Sequence, residues 1–252
     1  MNKITNILIC GIFTQTGMMI YNLARKRDDM YVVCGVDESN SFGGNCDVPV
    51  YKSFDEVKEV VDIVVDFSAP EAFDDVLNFV KENGCKLIEG TAGLTRKQKD
   101  AVRLFGKEHP VFMSNYLSIG MNLLLKLSFA AAKALGTYDI EIIEKYDSDK
   151  INTPGETTLN LAEHINEALG GTRKIVVGRF SRRKGDEICI HCVRGGKVVG
   201  DHEIMFIGER EVLTIKHETL DRAVYSEGAM EIINFMIDKP AGYYTLHDYY
   251  GD

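Results

Sequence analysis

With 252 residues, 45% of them apolar, the chain can bury one substantial core or two smaller ones. A formal charge of −9 argues against a nucleic-acid or anionic-membrane surface, because both need clustered Lys and Arg. Six cysteines without disulfide-scaffold density fit a reducing compartment, and the apolar run at 7–13 falls far short of the ~20 residues of a spanning helix and has no signal-peptide pattern, so a cytoplasmic protein is expected.

Residues 6–10 read as a short apolar strand, followed by Gly11-Ile12-Phe13-Thr14-Gln15-Thr16-Gly17 and an apolar-periodic helix over 18–25. Strand, tight turn and helix in that order open a dinucleotide-binding unit, with phosphate at the helix N-terminus. Thr14 is β-branched and disfavours positive φ, but its hydroxyl and that of Thr16 can donate to phosphate oxygens. A second strand over 31–36 ends at Asp37, about 20 residues after Gly17, where such a fold places the acid that binds the adenosine ribose. Glu38 beside it would repel a 2′-phosphate, which points to NADH rather than NADPH.

Residues 41–45 are glycine-rich and polar, hence a loop. The nearly continuous apolar run over 61–67 is a strand of the kind buried in a parallel sheet. Ser68-Ala69-Pro70-Glu71 reads as a capping box with an early proline, starting a helix that reaches Glu82. A strand over 86–88 follows, then a helix capped by Thr95 with Gln98, a strand over 111–114 and an apolar-rich helix over 119–135. Four strand and helix alternations predict a doubly wound parallel α/β sheet over residues 1 to about 115.

Tyr138, Ile140 and Ile142 alternate as in a strand, and Thr153-Pro154-Gly155-Glu156 reads as a turn opening a helix. That helix carries Leu159, Leu161, Ile165 and Leu169 on one face and stops at Gly170-Gly171. Strand-like runs at 188–193, 203–207 and 212–217 predict a second, α+β unit with a mixed sheet. Cys189 and Cys192 are three apart on a strand and point to opposite faces, so they read as strand cysteines and no metal is expected. The basic cluster Arg179, Arg182, Arg183 and Lys184 reads as a solvated loop or a subunit contact. Tyr146 and Lys150 are four apart, close enough for a lysine to lower the pKa of a phenol that donates a proton.

Glu144-Lys145-Tyr146-x-x-x-Lys150-x-x-x-Pro154-x-x-Thr157 resembles the substrate loop of dihydrodipicolinate reductase, the reductase of bacterial lysine synthesis. Further resemblances lie in Asp66-Phe67-Ser68-Ala69-Pro70-Glu71, Gly90-Thr91-Ala92-Gly93, the run from Asn115 to Asn122, RGGKVVGDHEIMF, IKHETLDRAVYSEGA and the tail GYYTLHDYYG. The resemblance implies a Rossmann-type unit made of 1–115 and 223–252, and a substrate and oligomerisation unit made of 116–222 whose mixed sheets pair into a homotetramer. It implies a small-molecule substrate, a cyclic imine bearing two carboxylates, reduced by NADH or NADPH. Gly11, Thr14, Gln15, Thr16, Gly17, Asp37, Gly90, Thr91, Ala92, Asn115, Tyr116 and Ser118 take the cofactor positions. Tyr146 and Lys150 take the acid pair, and Asp147, Glu156 and Thr157 the substrate positions.

The chain departs from the family pattern at Thr14, usually glycine, and at Tyr146 and Asp147, usually both histidine. Glu156 stands where relatives carry glycine. Asp147 and Glu156 bring negative charge to where a substrate carboxylate arrives, and like charges in contact cost about 1 kcal/mol in water and about 4 at an effective dielectric near 20. Two other readings therefore stay open: a noncatalytic binding protein, and a reductase of a cationic substrate. His202 and His217 fall in strands and read as core or interface residues.

Overall fold

The structure, a computed structural model, describes residues 4–38, 45–114 and 117–250. Its strands are β1 (Thr5–Cys10), β2 (Met30–Val36), β3 (Val50–Tyr51), β4 (Ile63–Asp66), β5 (Lys86–Glu89), β6 (Pro110–Met113), β7 (Asp139–Tyr146), β8 (Lys174–Val177), β9 (Glu187–Arg194), β10 (Gly200–Ile207), β11 (Val212–Thr219) and β12 (Gly242–Tyr244). Its helices are α1 (Gln15–Ala24), α2 (Phe73–Asn83), α3 (Arg96–Phe105), α4 (Ile119–Ala134), α5 (Glu156–Ala168), α6 (Ala223–Met236) and α7 (Leu246–Tyr250). The chain divides into two compact units, Met1–Ser118 with Ala223–Asp252, and Ile119–Arg222.

The first unit holds a seven-stranded sheet in the order β12-β6-β5-β4-β1-β2-β3, with every neighbouring pair parallel. Alternate residues of the central strands feed two cores. Ile7, Ile9, Ile63, Val65, Ile88 and Phe112 pack with Ile20 and Tyr21 of α1 and Ile232 and Ile233 of α6. Leu8, Val64, Leu87 and Val111 pack with Val76 and Val80 of α2 and Val102 of α3. Apolar residues on both faces explain why these strands read as continuous runs rather than alternating ones.

Local chemistry sets the helix starts. The expected capping box at Thr95 and Gln98 forms in both directions. The one expected at Ser68 does not: the Ser68 hydroxyl and N–H both donate to Asp66 Oδ1, at 2.6 and 2.9 Å, a 3₁₀ turn occupies Pro70–Ala72, and α2 begins only at Phe73. A buried carboxylate two residues away outcompetes a helix end for the hydroxyl. Helix α1 begins three residues earlier than its apolar period suggests, because Thr14 caps it. Strands β3, β8 and β12 are edge strands of two to four residues, too short to show a period.

The second unit holds a five-stranded sheet in the order β11-β10-β7-β9-β8. Its pairs β11/β10 and β10/β7 are antiparallel, and β7/β9 and β9/β8 are parallel. Strand β7 alternates strictly, with Ile140, Ile142, Glu144 and Tyr146 buried. Helices α4 and α5 pack on each other, α4 on β10 and β11, and α5 on β7 and β9.

Half of the basic cluster departs from a solvated loop: Arg182 and Lys184 are exposed, but Arg179 bonds Glu141 and Glu187 at 3.0 and 2.8 Å, and Arg183 bonds Glu141 and Asp139 at 2.5 and 2.8 Å. Half-buried carboxylates on β7 and β9 draw these guanidiniums back onto the sheet. Among the described residues no helix is long and apolar enough to cross a membrane.

Candidate active site

The turn after β1 is built by close backbone approach. Gly11 has φ +73°, and a Cβ there would lie 2.7 Å from the Phe67 carbonyl oxygen, while a Cβ on Gly17 would lie 2.2 Å from the Gly11 carbonyl oxygen. Thr14 sits between them at φ −67° and ψ 159°, so no positive φ is required of it. Its hydroxyl donates to the Gly11 carbonyl at 2.7 Å and accepts from Gly17 N–H at 3.0 Å. The hydroxyl expected to donate to phosphate is therefore the helix cap, with its proton committed to the turn. Thr16 is half-buried and Gln15 exposed in the first turn of α1.

Asp37 accepts from Phe13 N–H at 2.9 Å, tying the end of β2 to the turn, and the Phe13 ring packs against the core rather than filling the turn. A cavity of about 360 Å³ opens here, lined by Gly11, Thr14, Asp37, Glu38, Lys52 and Ser68 among others. Its size falls within the range of cofactor sites, and the glycine cradle leaves room for a pyrophosphate at the N-terminus of α1. These residues fit the adenosine and phosphate portion of a dinucleotide.

At the end of β5, Gly90 faces the Phe67 ring so closely that a Cβ would lie 2.1 Å from it, and Gly93 has φ +81°. Thr91 is buried, Ala92 is exposed, and Thr91 N–H donates to Glu89 at 2.8 Å. Ser118 is buried. Asn115 and Tyr116, the remaining cofactor candidates, lie outside the described residues, as does most of the glycine-rich loop over 41–45.

In the second unit the loop after β7 is organised by Glu144, which has no exposed surface. Its carboxylate accepts from Gly155 N–H at 2.9 Å, from the Thr158 hydroxyl at 2.5 Å and from Arg194 at 2.5 Å. Burial alone would raise its pKa, but the three donors together hold it below the ordinary carboxylate range. Arg194 also donates to the Asn152 carbonyl at 2.8 Å and the Thr153 hydroxyl at 3.1 Å, fastening both ends of the loop.

Lys150 Nζ lies 3.4 Å from the centroid of the Tyr146 ring, and a Cβ on Gly155 would stand 3.3 Å from the same amine. Burial lowers the Lys150 pKa, with Glu144 opposing and Arg194 assisting. The two candidate acids thus meet, but not as expected: the ammonium covers the ring face, and the Tyr146 hydroxyl is bonded to His202 Nε2 at 3.2 Å. Asp147 pairs with Arg222 at 3.5 Å, Glu156 is exposed in the first turn of α5, and Thr157 is half-buried.

Sequence reasoning missed Arg194, Thr158 and the contact of His202 with Tyr146, though His202 is buried as expected. The motif RGGKVVG held Arg194 in view, but its partner is 50 residues away. Glu141, Cys189 and His191 also bring ligand-type atoms within 4.8 Å of one another, though Glu141 is already bound by Arg179, Arg183 and His191.

A doubly wound unit with a glycine cradle and a ribose-type acid, followed in the chain by a mixed-sheet unit carrying a caged lysine, defines a two-unit nicotinamide-dependent reductase. Family models described as dihydrodipicolinate reductase, N-terminus and C-terminus, match residues 5–116 and 120–249. The chain belongs to the dihydrodipicolinate reductase family.

Among its relatives is a 4-hydroxy-tetrahydrodipicolinate reductase of Caldanaerobacter subterraneus, 38% identical over 245 residues and covering 96% of each chain. A protein of the same name from Clostridium novyi is 33% identical and covers 97% of each. A solved structure described as dipicolinate-bound dihydrodipicolinate reductase from Paenisporosarcina sp. TG-14 superposes with a TM-score of 0.78 at 20% identity, over 96% of this chain and 97% of that one.

Proposed function

We propose that the protein reduces 4-hydroxy-tetrahydrodipicolinate to tetrahydrodipicolinate, with Lys150 as the proton donor. Loss of the hydroxyl as water leaves a conjugated cyclic imine, which takes a hydride at one carbon and a proton at its neighbour. A bound dihydronicotinamide supplies the hydride. The observation that carries the reading is the half-buried Lys150 ammonium, held over the Tyr146 ring beside Gly155, in a chain that matches the family from end to end.

Burial lowers its pKa, which makes the ammonium a better proton donor than an exposed lysine, and its charge, with the N–H groups opening α5, suits a substrate carboxylate. The like-charge objection weakens, because Asp147 is paired with Arg222 and Glu156 is exposed.

The test is NADH oxidation by the pure protein with freshly generated substrate, beside Lys150→Ala. A loss of roughly a hundredfold or more in kcat is the expected result. A protein with no turnover that NADH nonetheless stabilises thermally would instead be the binding protein, a reading favoured by the Tyr146 hydroxyl being turned to His202.

NADH is the proposed cofactor, since the adenosine cavity sets Asp37, Glu38, Glu71 and Asp75 against Lys52; tighter binding of NADPH by calorimetry would overturn this. A cytoplasmic homotetramer completes the proposal, and light scattering should return four times the chain mass.

A further inference from the structure

We infer that His202 is a positioning residue for Lys150, acting through Tyr146: its hydrogen bond with the phenol hydroxyl fixes the ring on whose face the ammonium sits. This rests on the reading of Lys150 as the proton donor. Tyr146 closes β7 with only 8% of its surface exposed, and described residues on β9 and β10 crowd its ring. His202 meets its hydroxyl at 3.2 Å, with the two rings edge to face at 80° and centroids 5.6 Å apart. Gly200, in the same strand as His202, passes so close that a Cβ would lie 2.8 Å from the Tyr146 ring. Arg194, opposite Tyr146 in the β7/β9 register, places its guanidinium carbon 5.6 Å from the ring centroid.

One face of the ring carries Lys150 Nζ at 3.4 Å from its centroid. A ring held there stabilises the ammonium over the free amine through its quadrupole, opposing the burial that lowers the Lys150 pKa. If the ring tilts, the ammonium loses that support.

The partner at position 202 has to be neutral to do this. His202 is buried to 3% exposure; burial first, with His217 and Lys150 adding to it and Glu144 opposing, takes its pKa down to about 4. It is therefore an uncharged imidazole at working pH, and its Nδ1 is buried without a hydrogen-bond partner among the described residues. The groups facing it are Glu144 and Tyr146 on β7, His217 on β11 and Lys150 on the loop. Those facing Lys150 are Glu144, Asp147, Arg194 and Arg222. Relatives that carry histidine where this chain has Tyr146 have no phenol to anchor, so the device belongs to the departure itself.

The test compares His202→Phe, which keeps a ring but removes the hydrogen-bonding nitrogen, with His202→Gln, which keeps a hydrogen-bonding group, and with Tyr146→Phe and the double variant His202→Phe/Tyr146→Phe. Two readouts are used on the full-length protein: the pH profile of kcat/KM, and the titration of the Lys150 side chain by NMR of carbon-labelled lysine, which needs no turnover.

His202→Phe and Tyr146→Phe should each lower the Lys150 pKa and cut kcat/KM by roughly tenfold, the double variant should be no worse than either, and His202→Gln should restore most of the loss. Additive losses, or an unmoved Lys150 titration in both single variants, would overturn the inference. If His202→Phe fails to fold, Tyr146→Phe and His202→Gln still decide it. Should Lys150→Ala keep full activity, the proton-donor reading fails; should it lose activity while these variants keep theirs, only the positioning role fails.

Discussion

Replacing Glu89 with glutamine should stabilise the protein at alkaline pH and do little at acid pH. Glu89 ends β5 directly beside Asp66 at the end of β4, which in turn pairs with Cys10 at the end of β1. Both carboxyls are 1% exposed. Asp66 is satisfied by Ser68, whereas Glu89 accepts Thr91 N–H on one oxygen and buries the other without a hydrogen-bond partner among the described residues.

Burial first, and the Asp66 charge second, push the Glu89 carboxyl up from 4.5 to about 8. The unfolded chain sheds this proton near 4.5 and the folded chain holds it to about 8, so across that window the unfolded state binds fewer protons and stability falls as pH rises. At about 1.4 kcal/mol per pH unit the penalty is about 1 kcal/mol at pH 5 and about 4 at pH 8. The glutamine amide keeps an acceptor for Thr91 N–H and cannot ionise. Urea unfolding of Glu89→Gln should therefore show a gain about 3 kcal/mol larger at pH 8 than at pH 5. An equal change at both pH values, or a loss at pH 8, would refute the argument that a buried, ionisable carboxyl pair ends β4 and β5.

Arg194→Met should cost about 3 kcal/mol or more, because it leaves the fully buried Glu144 without its cation, and activity should fall with it as the loop loses its fastening; unfolding and kcat/KM on the same preparation check both. Gly90→Ala should cost about 1 to 3 kcal/mol, since the new methyl meets the Phe67 ring at 2.1 Å, and it should weaken dinucleotide binding measured by calorimetry. Thr14→Ala should lose about 1 kcal/mol of stability through the missing cap while Thr14→Ser loses little; equal losses would show that the hydroxyl is not the cap.

The doubly wound sheet was legible because its central strands are apolar on both faces, and each run is separated by a glycine turn or a capped helix. What could be misread was competition for one hydroxyl. Ser68 satisfies the pattern for a helix cap, and so does Thr95; the difference is that Asp66 ends its strand fully buried and two residues from Ser68. The hazard is local, and a buried acid just before a capping box is its signal. Glu89 was equally in view as the last residue of a strand, but its pairing with Asp66 follows only from the register of two parallel strands that a helix separates in the sequence.

The candidate catalytic loop shows the same limit more sharply. Two of the residues that surround the Lys150 and Tyr146 pair come from strands neighbouring β7: Arg194 lies opposite Tyr146 on β9, and His202 lies opposite Glu144 on β10. These partners are 50 and 56 residues away along the chain, so spacing within the loop suggests a Lys150 and Tyr146 pair but is silent on which atom of Tyr146 the amine meets. The cross-strand register supplies that answer. Strand β10 brings the His202 imidazole to the phenol oxygen, and the ammonium meets the ring face rather than the hydroxyl.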